Sequence, residues 1–241
     1  MTAILTLEGK ASAVTEQTVR NCVTPPATRS YCPLPYGDIL DMIQEPAYDL
    51  GFKLIKSEYA LSNDSQRFFG TMTFDTGHPA YALNFGFRSS HDKTMSAVLV
   101  AGVEMAFICA NLCYQGDALQ FMRKHTRNAY RDVRNEIANT INNWEQPYQK
   151  TIDQLESLKQ IECSETRGAE LIGLAQYNGY LKSTAANVAR QDWRVPRHEA
   201  FAERNLFSLY NCFTQGTKSG DGTKMIDRQI NVDKFFQEVA A

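Results

Sequence analysis

The hydrophobic period of this chain changes once, near Thr126, and that change constrains the fold more than any other feature. Upstream, "FKLIKSEYAL", "RFFGTMTF" and "AYALNFGFR" read as strands separated by the turn-forming stretches "SNDSQ" and "DTGHP". In the third, Tyr81, Leu83, Phe85 and Phe87 alternate with smaller residues, a period of two. "SAVLVAG" is a continuous apolar run whose β-branched residues favour strand; "MAFICANLC" fits strand or helix, and "DALQFMRKH" fits one more strand. Downstream, Tyr130, Val133, Ile137, Ile141, Trp144 and Tyr148 recur at three- and four-residue steps, the mark of a long amphipathic helix. Pro147 is predicted to kink or split it, and Ile152, Leu155, Leu158 and Ile161 continue its stripe. Helical patterns return after Gly168, in "STAANVARQDW", from Pro196 to Gly216, and in "VDKFFQEVAA" as a short last helix.

Ahead of the strands, "YGDILDMIQEPAYDLGF" reads as a helix capped by Asp38, interrupted by Pro46 and ended by Gly51. Residues 1–35 are rich in Thr, Ser and Ala and hold Pro25, Pro26, Pro33 and Pro35, which predicts an extended arm or irregular loop. Strands segregated from helices imply an α+β fold: an antiparallel β-meander in the N-terminal half, then a helical C-terminal half, with the helices on one side of the sheet. The expected layout is a Pro/Thr-rich arm over 1–35, one domain over 36–218, then a loop and short helix over 219–241.

Composition narrows the function classes. With 43% hydrophobic and 22% charged residues, 241 residues suffice for a sizeable core. The net charge of −2 excludes a globally basic protein, so nucleic-acid binding requires a local patch. No stretch reaches the roughly 18 apolar residues of a membrane span, and "MTAILTLEGKASAV" lacks a basic start and long apolar core, so a cytosolic chain with reduced thiols is expected. Cys22, Cys32, Cys109, Cys113, Cys163 and Cys212 form no Cys-x-x-Cys pair, and neither a metal nor a cofactor is expected.

Four constellations could carry chemistry. Arg88-Ser89-Ser90-His91-Asp92-Lys93 is a polar knot between apolar runs; it is either a hairpin turn or a site in which Asp92 orients His91. Adjacent residues on a strand face opposite ways, which counts against His91 and Asp92 gripping one ion. In "RKHTRNAYRDVR", Arg127, Arg131 and Arg134 fall at i, i+4 and i+7, preceded by Arg123, Lys124 and His125. Such a stripe suits phosphate oxygens, or else a solvated face paired with Asp132 and Glu136. Phe52, Tyr59, Phe68, Phe69, Phe74, Tyr81, Phe85 and Phe87 would stack bases if exposed, although large aromatics usually fill a core. Cys109 would be a nucleophile only with a base such as His125 or His91 beside it; a buried cysteine is the simpler reading. No phosphate-cradling Gly-rich loop, nucleophile elbow or paired-His zinc motif is present.

The order of these pieces resembles a phage/plasmid-like family catalogued as a domain of unknown function. A strand ends in Ser90-His91-Asp92, an apolar strand closes on Gly102, "ICANL" follows with Cys109 and Asn111, and "RKHT" brings His125. Later, "NLFSLYNCFTQGTK" supplies Asn211, Phe213, Thr214 and Lys218. The resemblance spans roughly residues 36–218. Lys93 stands where the family pattern has Gly, and Ala110 and Leu112 flank Asn111 where Ser and Gly are typical. The resemblance implies a phage or plasmid source and the host cytoplasm; it brings no activity.

The leading expectation is therefore a nucleic-acid-handling phage protein that binds or anneals single-stranded DNA through Arg123, Lys124, Arg127, Arg131 and Arg134, a homo-oligomer without cofactor. At fold level alone it resembles phage single-strand annealing recombinases. The rivals are a counter-defence protein that blocks a host protein, and a metal-dependent hydrolase using His91, Asp92 and His125.

Overall fold

A computed structural model describes residues 11–105, 112–113, 121–218 and 224–240. The fold is α+β, and the meander is there. Strands β2 (Lys53–Ser62), β3 (Arg67–Asp75), β4 (Ala82–Ser90) and β5 (Ala97–Glu104) pair antiparallel in chain order. Beyond β5, two short strands share its outer edge: β6 (Leu112–Cys113) lies on Val103 and Glu104, and β7 (Phe121–Arg123) on Ala97 to Leu99. The 105–113 run, open between strand and helix in the sequence, ends as β6; most of it lies outside the described residues.

The arm is more structured than its composition predicts. Ala11–Val14 forms β1, which adds to the sheet beside β2, and Glu16–Arg20 forms α1, opened by the Thr15 hydroxyl accepting from the Thr18 amide. Val19 is fully buried, and the Tyr59 hydroxyl donates to Glu16 at 3.2 Å, so the segment docks on the body. Only after Arg20 does the chain run without regular structure to α2 (Tyr36–Asp49). That helix begins after Pro35 rather than at Asp38, and it runs through Pro46. The missing amide costs one bond near the helix end, while the buried stripe of Ile39, Leu40, Met42 and Ile43 extends to Ala47 past the proline.

The second half is helical throughout: α3 (Ala129–Asn142), α4 (Glu145–Lys159), α5 (Glu165–Tyr177), α6 (Ser183–Arg194), α7 (Leu206–Thr217) and α8 (Met225–Ala240). The predicted long helix does split, but at Asn143 and Trp144; Pro147 sits in the first turn of α4, where its missing amide has no partner to lose. Gly168 lies inside α5, which starts at the Ser164 cap. Pro196 opens only a loop and a 3-10 turn (Glu199–Phe201), and α7 is started by Asn205, whose side chain accepts from the Ser208 amide. The last helix has 16 residues and is not short.

One face of the sheet, with Tyr59, Leu61, Phe68, Met72, Phe74, Leu83, Phe85, Phe87, Leu99 and Val103, forms the main core together with buried residues of α2 to α8. Each buried aromatic contributes on the order of 2–3 kcal/mol from area alone. The helices are not confined to that side. Ala60, Phe69, Val98 and Val100 on the other face are covered by Met225, Ile226 and Ile230 of α8, and Arg88 grips Asp227 through both guanidinium nitrogens at 2.8 and 3.2 Å. Strands apolar on both faces require a cover on both.

Candidate functional site

The polar knot is the β4–β5 turn. Ser90 and Asp92 satisfy the local backbone: Ser90 Oγ accepts from the Met95 amide at 3.0 Å, and Asp92 accepts from the Thr94 amide at 2.9 Å. Arg67, at the start of β3, pairs with Asp92 at 2.8 Å. Lys93 has a φ of 65°, a left-handed conformation that glycine adopts without strain. Burial works to raise the Asp92 carboxyl, but the bonds from Thr94 and Arg67 outweigh it and hold it down at about 2.

His91 and Asp92 face opposite ways, as their adjacency predicts. Asp92 stays at the surface while His91 turns inward and is 3% exposed. Its Nε2 is 2.9 Å from the Leu34 carbonyl, and its ring stacks on Tyr36 at 3.9 Å and 7°. His125, 34 residues further on, is also buried; its Nε2 lies 3.3 Å from the Ser89 hydroxyl. Tyr31 bridges the two, its hydroxyl donating to the His91 carbonyl at 2.9 Å and its ring tilted against His125 at 5.7 Å. Burial lowers both imidazoles, and His125 is lowered further by His91. The structure thus brings Ser90, His91 and His125 of the resemblance to one corner. Cys109 and Asn111 lie outside the described residues.

The basic stripe is on the surface. Arg123, Lys124, Arg127, Arg131 and Arg134 are all exposed, running from β7 into the first two turns of α3. Asp132 pairs with Arg123 and, at 3.6 Å, with Arg131. Lys124, Arg127 and Arg134 have no ion pair among the described residues. Tyr130, 45% exposed on α3, stands between Arg127 and Arg134 in sequence, whereas Met122 alternates with Arg123 on β7 and faces the other side of the sheet. Of the acids on neighbouring α2, Asp41 is already engaged by Arg20 at 2.8 Å. Buried His125 is the peg between exposed Lys124 and Arg127, so the corner that holds the histidines also fixes where the stripe begins.

The strand aromatics do not form a stacking platform. Tyr59, Phe68, Phe69, Phe74, Tyr81, Phe85 and Phe87 are buried, and Phe52 packs edge-on to Trp144 at 4.9 Å. Two features escaped the sequence reading. Glu104 is 1% exposed on β5, accepting from the Thr73 hydroxyl and, at 3.3 Å, from Asn84, with Lys56 3.9 Å away. Burial raises its carboxyl despite those donors. A lone acid inside the apolar "VAGVEM" was the available signal. The second is a cluster where α6 meets α7: Asp192, Arg197, His198 and Cys212 line a cavity of about 20 Å³, room for little more than a water molecule. Burial pushes the Cys212 thiol up to about 12, so it is no nucleophile at neutral pH. No group of three or more His, Cys, Asp or Glu poised for a metal exists among the described residues. No helix among them is long and apolar enough to cross a membrane.

No protein-family model, curated protein or solved structure matches the chain.

Proposed function

We propose that this protein handles nucleic acid, holding the phosphate backbone of a single strand against Arg123, Lys124, Arg127, Arg131 and Arg134. The observation that carries this reading is the concentration of five exposed cations in one surface of a chain whose net charge is −2. Arginine forks suit phosphate oxygens, and a helix N-terminus adds a favourable dipole. Exposed Tyr130 offers a face for an unpaired base. A phage or plasmid origin and action in the host cytoplasm rest on the motif resemblance alone; assembly with further copies of the chain belongs to the nucleic-acid reading. No cofactor takes part. The rival hydrolase is less well supported, because His91 and His125 are buried under the arm rather than open to a substrate.

Arg127→Ala with Arg134→Ala tests the reading without breaking an ion pair of the described residues. Removing two phosphate-neutralising cations lowers the salt slope of single-strand binding by about 1.4. An unchanged affinity and slope remove the stripe as the interface. A second reading is favoured by Tyr130, whose exposed ring beside arginines also suits a protein partner, such as a host defence protein. Stoichiometric capture of one host protein without DNA affinity at low salt would support it.

A further inference from the structure

Residues 22–36 lie over the β4–β5 turn and cover two imidazoles, of which His91 alone bonds the segment through its ring; the other bonds run to the backbone carbonyls of His91 and His125. The Leu34 carbonyl takes a bond from His91 Nε2 at 2.9 Å, and the Cys32 amide donates to the His125 carbonyl at 3.0 Å. Tyr31 donates to the His91 carbonyl, and Tyr36 stacks on the His91 ring. Since a carbonyl only accepts, Nε2 of His91 carries its proton, and Nδ1 is a bare acceptor. Nδ1 of His91 and Nδ1 of His125 are both buried with no hydrogen-bond partner among the described residues. The rings are 3% and 6% exposed. A proton arriving at either nitrogen therefore creates a cation with almost no water around it.

The groups facing the pair offset that cost only in part. The irregular segment presents the Tyr31 phenol and the Cys22 thiol, and α2 presents the Tyr36 phenol, each held in its neutral form by burial. From the turn, the Asp92 carboxylate is committed to Thr94 and to Arg67 of β3, while the Lys93 ammonium sits 4.8 Å over the Tyr31 ring and adds like charge. Burial is the largest influence on His91 and outweighs the backbone of Leu34 and Val23 and the charge of Asp92, which favour the imidazolium. Each imidazole also repels a charge on the other.

We propose that His91 and His125 form a proton-sensitive latch: buried and neutral beneath residues 22–36 they leave the segment docked on the β4–β5 turn, and once protonated they favour its release, because a charged ring there lacks water. Released, the histidines gain water and the segment loses its anchor, while α4 to α7 have no part in the contact. A free imidazole titrates near 6.5, so a drop from pH 7.5 to 5.5 weakens docking by up to about tenfold for each ring that must stay neutral.

Hydrogen exchange of the full chain, read by mass spectrometry and corrected for intrinsic rates, tests this between pH 7.5 and 5.5. The expected result is a loss of protection of about tenfold or more in peptides covering 22–34, including the Cys32 amide, with α5 and α6 unchanged. In the His91→Gln/His125→Gln variant, which keeps side-chain donors without titrating, protection of 22–34 no longer depends on pH. Unchanged protection in the natural chain overturns the latch, as does a pH dependence that survives in the double variant. If that variant fails to fold, NMR titration of the two imidazoles in the natural chain decides: midpoints below 6.5 that coincide with shifts of the Tyr31 and Cys32 amides support the latch, and midpoints at or above 6.5 overturn it.

Discussion

Asp92→Asn isolates what the polar turn contributes to stability. The carboxylate receives the Thr94 amide at 2.9 Å and Arg67 at 2.8 Å, and these hold its pKa at about 2 against an ordinary 3.8. Each unit of such a shift is worth about 1.4 kcal/mol, which sets a ceiling of about 2.5 kcal/mol. Arg67 is 45% exposed, so solvent screening reduces the expected figure to about 1 kcal/mol. The sign follows from the depressed value: the contribution is complete above pH 3.8 and lost as pH falls through about 2. Urea unfolding of both proteins at pH 7 and at pH 2.5 reads it directly. The expected variant is about 1 kcal/mol less stable at pH 7, with the gap narrowing at low pH. Equal stability at pH 7, or a gap that does not change with pH, would refute the view that the turn is held by this carboxylate.

Other substitutions test other parts of the fold. Gly168→Ala places a methyl 2.3 Å from the Trp193 indole, which also donates to the Glu165 carbonyl. The helix gains about 1 kcal/mol in propensity, but overpacking costs about 1–3 kcal/mol and the indole bond is strained, so denaturant unfolding is expected to show a net loss of about 1–2 kcal/mol. Glu104→Gln keeps an acceptor for Thr73 and Asn84 without the charge. Because burial raises the Glu104 carboxyl, its contribution is complete below its ordinary 4.5 and lost as pH rises through the raised value; thermal unfolding of the variant should therefore gain on the natural chain as pH rises. Cys212 should remain unreacted in native protein exposed to a thiol reagent at pH 8, and react once the chain is unfolded.

The meander was legible because "SNDSQ" and "DTGHP" punctuate it and because Tyr81 to Phe87 alternate with a period of two. The helical half was legible in existence but not in its joints. Pro46 and Gly168 are strong local signals, yet both lie inside helices, because a buried stripe and a close crossing by Trp193 outweigh propensity there. The apolar patch that β2, β3 and β5 present on the second face required a cover that periodicity could not name, and α8 provides it from the end of the chain. In the site, the run of basic residues was legible but not its geometry: only Arg131 and Arg134 lie on α3, while Arg123 ends β7 and Lys124 and Arg127 fall between the two elements. The meeting of His91 with His125 was not legible: it depends on residues 31–36 crossing the turn, a non-local contact made by a segment whose prolines indicate only that it is irregular. Glu104 was legible as an oddity, and its partners Thr73 and Asn84 only from strand register.

The most direct test of the central claim is the affinity of the natural chain for fluorescent single- and double-stranded oligonucleotides across a salt series, with mass photometry on the same samples. Five cations seated on phosphates predict tight single-strand binding at low salt that falls with a logarithmic slope of about −3.5, carried by particles larger than a monomer. No binding at low salt, or binding whose strength ignores salt, would contradict the assignment of this surface to nucleic acid.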